Sequence, residues 1–359
     1  MNDALTNNPA DTLTISDFLA DTGARVHFYD MGRRVVEIPI EVIRAFERAE
    51  TPYPQPFLQC AWLGIMFQHE GVVDEHHIWF LKLPLDEQGL LIQAARDDFL
   101  RRIAETLTTE KSDTGSQQQA LDDNPHGFTP REERMAVFHA KVSKQLGQPP
   151  SHYYDHAVSY FRGEPGFEQW NFVGLQGIAD VAARIDEDHN LESIIDAIPQ
   201  LPATPLVALC SCLENEAIDT GLAQALAARI KVELQRAKAD SASIVAGGVR
   251  GLSHCPDLSF VIQTLQTVLE HPIGQNVEVL ASIAGRAWEA LAEPTLRLRF
   301  LENLAHCEAG QQAFDGIMAD LLFLPTLRRL LLTDFRGEEK SAQLTKVIET
   351  FLSAFQQSS

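Results

Sequence analysis

Apolar residues recur along this chain with two periods, one suited to strands and one to helices, and the switch between them divides the sequence. Near the start, "TISDFLADTG" reads as a short helix stopped by Gly23. The following "ARVHFYDMGRRVVEIP" holds two runs rich in β-branched and aromatic residues around Met31-Gly32, which predicts a hairpin. In "IEVIRAFERAE", Ile40, Ile43 and Phe46 stand at helical spacing with charges between them, and the Pro-rich "TPYPQP" ends that helix. "CAWLGIMFQ", apolar on both alternating faces, and "HHIWFLKLP" predict two more strands joined by a loop, before "DEQGLLIQAARDDFLRRIAETL" returns to the helical period. The predicted order is αββαββα: one antiparallel sheet with helices packed on it, an α+β domain over residues 1–107.

Residues 108–127, "TTEKSDTGSQQQALDDNPHG", contain almost no large apolar side chain. Such a segment cannot offset its ordering entropy by burial and is expected to be a flexible linker. Over residues 128–359 no strand pattern recurs. "PREERMAVFHAKVSKQLG" places Pro130 for a first helical turn and Gly147 for a stop, and helix-sized segments follow one another to the end.

These segments repeat. "FVGLQGIADVAARI", "LVALCSCLENEAI", "IVAGGVRGLSHC" and "VLASIAGRAWEAL" each place a small residue in mid-helix, at Gly177, Ser211, Gly251 and Ala287. Between them lie second helices such as "GLAQALAARIKVELQRAK", "DLSFVIQTLQTVLEH" and "PTLRLRFLENLAHC". Helix pairs at this spacing, with small residues where neighbours approach, predict an all-α HEAT-like repeat domain, an α-solenoid, with "EEKSAQLTKVIETFLSAF" as its capping helix. An irregular helical bundle is the alternative. From "HFYDMGRRVVEIP" through "HHIWFLKLPLDEQG" to the helical half, the chain resembles a family of uncharacterised proteobacterial proteins known only as a domain of unknown function. The resemblance implies a bacterial cytoplasmic protein and carries over no activity and no catalytic residue.

Charge narrows the function classes. The 359 residues include 50 acids and 29 bases, a formal net charge of -21, so general nucleic-acid binding is not expected and an anionic membrane is disfavoured. Five scattered cysteines in apolar segments, Cys60, Cys210, Cys212, Cys255 and Cys307, read as buried thiols of a reducing compartment. The start "MNDALTNNPADTLT" lacks the basic and apolar runs of a signal peptide, and no stretch reaches the apolar length of a membrane span. A cytoplasmic protein is expected.

Five features invite chemistry. "HEGVVDEHH" (69–77) begins like the zinc-protease signature, but position 73 is Val where the second His must stand, so a polar hairpin connection is the expected reading. In "SHYYDHAVSYF", a helix would bring His152, Asp155 and His156 together as a partial ligand set, and these are the candidate metal residues. Cys210 and Cys212 form C-x-C, which on a helix points to opposite sides and suggests core packing. "AGGVRG" lacks the order and preceding strand of a dinucleotide loop. Finally, Arg229, Lys231, Arg236 and Lys238 stand on a second helix whose apolar stripe is Leu222, Leu226, Ile230 and Leu234; the bases are expected to be exposed and are the candidate partner-binding residues.

No cofactor is expected, and no catalytic constellation passes its spacing test. The sequence therefore points to a non-enzymatic interaction or adaptor module that binds a protein or acidic peptide through a solenoid surface. The alternative is a metal-dependent enzyme with a site at the domain interface, drawing on His69, His77, His152 and His156.

Overall fold

In a computed structural model of the chain, residues 13–69, 76–109, 124–236 and 238–357 are described. The chain divides into two compact units, residues 1–130 with Phe323–Pro325, and residues 131–322 with 326–359.

The first unit has the predicted αββαββα order: α1 (Ile15–Asp21), β1 (Ala24–Asp30), β2 (Val36–Ile38), α2 (Ile40–Glu47), β3 (Cys60–His69), β4 (His77–Pro84) and α3 (Gln93–Thr109). All pairings are antiparallel, in the order β2-β1-β3-β4. The register sets Phe28 opposite Ile38 and Ile65, and Ile65 opposite Trp79. Strand alternation then puts these side chains on one face with Leu63, Phe67 and Leu81. Ile15 and Leu19 of α1, Ile43 and Phe46 of α2, and Phe99 and Ile103 of α3 join them in one buried core.

Two polar devices tie the helices and turn to that core. Glu47, at the end of α2, accepts hydrogen bonds from Ile15 N (2.6 Å) and Ser16 Oγ (2.5 Å), capping the first turn of α1. Asp30, fully buried, accepts from Tyr53 Oη and from the backbone N–H groups of Arg33 and Arg34, so the turn after β1 folds inward. The segment read as linker behaves differently at its end. Lys82 N donates to His126 O (2.7 Å) and Phe128 N to Phe80 O (3.2 Å), so residues 126–128 run along the edge of β4. Residues 110–123 lie outside the described residues, as do 70–75 within "HEGVVDEHH".

The second unit is helical. Its helices are α4 (Glu132–Gln145), α5 (Tyr154–Phe161), α6 (Leu175–Ala183), α7 (Asn190–Ala197), α8 (Ala203–Leu213), α9 (Thr220–Arg236), α10 (Ser241–Leu252), α11 (Leu258–Glu270), α12 (Val277–Arg286), α13 (Pro294–Ala305), α14 (Gly310–Leu321), α15 (Pro325–Arg336) and α16 (Ala342–Gln357). Every second helix packs on the next: α4, α6, α8, α10, α12 and α14 form one row, and α5, α7, α9, α11 and α13 a second. Short 3₁₀ segments at Phe167–Phe172, Pro272–Gln275 and Trp288–Ala292 join some of them.

Small residues allow this stacking. A Cβ on Gly177 in α6 would lie 2.6 Å from the backbone O of Tyr153, and one on Gly248 in α10 would lie 2.6 Å from Ile230 of α9. Gly247 abuts Val207, and Gly251 abuts Cys210 and Leu226, so the three glycines of "AGGVRG" seat α10 between α8 and α9 rather than cradle a phosphate. Ala287 departs from expectation: it is the C-cap of α12, not a mid-helix position. The second row has its own link. Arg229 of α9 donates to the carbonyls of Ile198 and Leu201 after α7, and Asn303 of α13 donates to Leu269 O at the end of α11. These orphan C-terminal carbonyls would otherwise be buried without partners.

Glycine substitutions separate close approach from simple propensity. Gly177→Ala is expected to destabilise the protein by about 1–3 kcal/mol because backbone must move. Gly316→Ala in α14, where nothing lies within 4 Å of the added Cβ, should stabilise it by about 0.5–1 kcal/mol. Denaturant midpoints of the two variants check this: they should shift in opposite directions.

Candidate functional site

The most concentrated chemistry of the helical unit lies at the end of α8. Glu214, its C-cap, is 1% exposed and lies 2.5 Å from Arg250 Nε of α10, 2.8 Å from Arg286 Nε of α12 and 3.3 Å from Arg134 of α4. Next to it, Arg134 also donates to Asn215 Oδ1, while Lys141 of α4 holds Glu216 at 2.9 Å and donates to Asn215 O. One carboxylate thus fastens four helices of the first row. Glu214, Arg250 and Arg286 stand 36 residues apart in turn, each at the C-terminal end of its helix, α8, α10 and α12.

Burial alone pushes the Glu214 carboxyl up, but Arg286, Arg134 and Arg250 outweigh it and hold its pKa below the ordinary 4.5. Glu216 goes the other way: burial raises its pKa, with Lys141 opposing only in part. Ionised Glu214 therefore contributes stability fully above pH 4.5, lost as pH falls through its lower folded-state value, whereas ionised Glu216 carries a cost that protonation relieves. This cluster is structural in kind, since the carboxylate is enclosed by its arginines and offers no open face.

The predicted partner-binding bases divide. Arg229 is 7% exposed, not exposed as expected: its guanidinium pairs with buried Glu233 at 2.9 Å and caps α7, so its charge is spent inside the fold. Lys231 and Lys238 are exposed, and Arg236 is half exposed at 3.2 Å from Glu233. The stripe Leu222, Leu226, Ile230 and Leu234 is buried, as its spacing implies. A groove of about 350 Å³ lies between α9 and α11, lined by residues of both helices that include Gln224, Ala227, Lys231, Phe260, Gln263 and Thr267. A second cleft, about 540 Å³, includes Lys238, His271, Asn276 and Cys307. There, His271 Nδ1 and Asn276 Oδ1 already accept from Ile273 N and Glu278 N as caps.

The candidate metal residues do not form the helical set that was expected. His152 lies in the turn before α5, its ring centroid 3.8 Å from that of Tyr153 and tilted 40° to it, while Asp155 and His156 are exposed on α5. Among the described residues no three His, Cys, Asp or Glu side chains are placed to hold one ion. His77 packs instead against Phe67 across the β3–β4 pair, with ring centroids 5.3 Å apart. Cys210 and Cys212 are both buried in α8, and burial pushes each thiol up to about 12, which leaves them un-ionised and unreactive at neutral pH.

Sequence reasoning missed Glu214 and its arginines, although two signals were available. Glu214 follows Cys210 by one helical turn on the apolar face, and the interval of 36 to Arg250 and again to Arg286 is the repeat itself. Glu214→Gln is expected to cost about 3–5 kcal/mol at neutral pH, because three guanidinium groups lose the charge they were placed around. Chemical denaturation as a function of pH checks it: the gap between wild type and variant should be constant at neutral pH and narrow below pH 4.5.

No curated protein and no solved structure matches this chain. Among the described residues no helix is long and apolar enough to cross a membrane. A family model described as "Protein of unknown function (DUF3549)" matches residues 11–352, taking in the sheet, the helices packed on it and both helical rows. The chain belongs to that family.

Proposed function

We propose that this protein is a non-enzymatic adaptor, a cytoplasmic interaction module whose helical half is a HEAT-like solenoid offering one row of helices to a partner protein. The observation that carries this reading is the two-row stacking of α4 to α14, in which each helix meets the helix two places on. Such quasi-one-dimensional stacks build extended faces suited to macromolecular partners. Two further features support it. The buried ionisable groups of the helical unit serve as struts and caps, as Glu214, Arg229 and Asp180 with Arg184 do, rather than converging on an open pocket. All five cysteines are free and four are buried, as suits a reducing compartment.

The test uses the full chain, crosslinked in its source cells and then purified by affinity, in parallel with incubation of the pure protein in a metabolite extract of those cells. The adaptor reading expects the same protein or proteins to be enriched in every replicate and the metabolite profile to stay unchanged. Reproducible consumption of a metabolite, with no protein enriched, would replace this reading with an enzymatic one.

A further inference from the structure

We infer that the groove between α9 and α11 docks an extended, acidic segment of a partner protein that also carries apolar side chains. This deepens the adaptor reading and rests on it. The argument begins with charge. The chain carries 50 acids against 29 bases, so most of its surface repels an anionic partner. The α9–α11 face is a gap in that repulsion. Within α9 the only acid is Glu233, which is buried between Arg229 and Arg236, and α11 carries acids only at its ends, Asp257 at the N-cap, where it accepts from Phe260 N, and Glu270 at the last position. Lys231 is the one charged residue lining the groove, and the next charged residues outside it along the chain are bases, Arg236, which also pairs with Glu233, and exposed Lys238, before Asp240. The preceding helix of the same row, α7, carries Glu192 and Asp196 instead.

Shape and hydrogen-bonding capacity select the rest. Ala227 and Ala228 keep the α9 wall low, and half-buried Phe260, with the covered edges of Ile230 and Leu234 behind it, gives the groove its apolar lining. Val232 and Leu258, 40% and 43% exposed, add apolar area on the same two helices. Gln224 and Gln263 bring side-chain amides to the groove. Thr267 spends its hydroxyl proton on Gln263 O within α11, which leaves its oxygen as an acceptor. Amides and hydroxyl acceptors suit a ligand with free backbone N–H and C=O groups, which an extended chain has and a helix does not. The lined stretch of α9, Gln224 to Leu234, is about 16 Å long at ~1.5 Å per residue, room for about five residues at ~3.4 Å each.

Fluorescence anisotropy with the full chain tests this, using two labelled probes of about eight residues: one alternating Glu with Leu, the other Lys with Leu. The Glu-Leu probe should bind saturably and the Lys-Leu probe should not. The double variant Lys231→Glu, Arg236→Glu should weaken the Glu-Leu probe by about tenfold or more. Ala228→Trp, which fills the groove at constant charge, should abolish binding while the thermal midpoint stays at the wild-type value. If the Glu-Leu probe fails to bind, or binds all variants equally, or the Lys-Leu probe binds as well, the inference is overturned. The two readings fail separately: a partner that still co-purifies with the Ala228→Trp chain removes the groove and leaves the adaptor, whereas absence of any enriched partner removes the adaptor itself.

Discussion

The helical half depends on one buried charge. Glu214 takes guanidinium groups from α4, α10 and α12 onto the end of α8, so four helices of the first row meet at a single carboxylate. Taking a carboxylate out of water costs several kcal/mol, and only convergent, well-placed partners offset that cost. The consequence is geometric more than energetic. Apolar side chains of similar volume could hold the helices as tightly, but they would not specify one register, because apolar contact has no direction. Three guanidinium groups aimed at two oxygens do specify it. The spacing of 36 residues between Glu214, Arg250 and Arg286 therefore fixes how α8, α10 and α12 are set against one another.

The second row inherits that register. Gly248 and Gly251 let α10 approach α9 to within contact of Ile230 and Leu226, so any shift in the first row is transmitted to the second. Arg229 and Asn303 then tie α7 to α9 and α11 to α13 through helix-end carbonyls. They stand 74 residues apart, two repeats, and do one job with two side-chain types. The groove between α9 and α11 lies within this second row, with Lys231 as its charged lining residue.

The sheet and its helices were legible in the sequence because each element announces itself locally. Ile40, Ile43 and Phe46 keep helical phase, "HHIWFLKLP" keeps strand phase on its core side, and Gly23 and the prolines of "TPYPQP" punctuate them. The helical character of the second half was legible for the same reason. What was hidden involves partners distant in sequence. His126 and Gly127 look like linker because the stretch before them is polar, and only the edge of β4, together with Phe128 packed on Trp62 and Phe80, gives them a place. Arg229 was read as solvated from its charge, although it falls on α9 three places after Leu226 and beside Ile230, within the buried stripe. The metal reading of His152, Asp155 and His156 assumed one continuous helix, and α5 begins only at Tyr154. Of the candidate site, the exposed bases and the apolar stripe were legible, but the groove was not, since α11 contributes half of it.

The most direct test of this account is hydrogen–deuterium exchange of the intact protein, compared between wild type and Glu214→Gln under conditions where both are folded. If Glu214 sets the register of the first row, amides at the ends of α4, α8, α10 and α12 should lose protection together, and the loss should reach α9 through α10. Faster exchange confined to the last turn of α8, with α4, α10 and α12 unchanged, would contradict it.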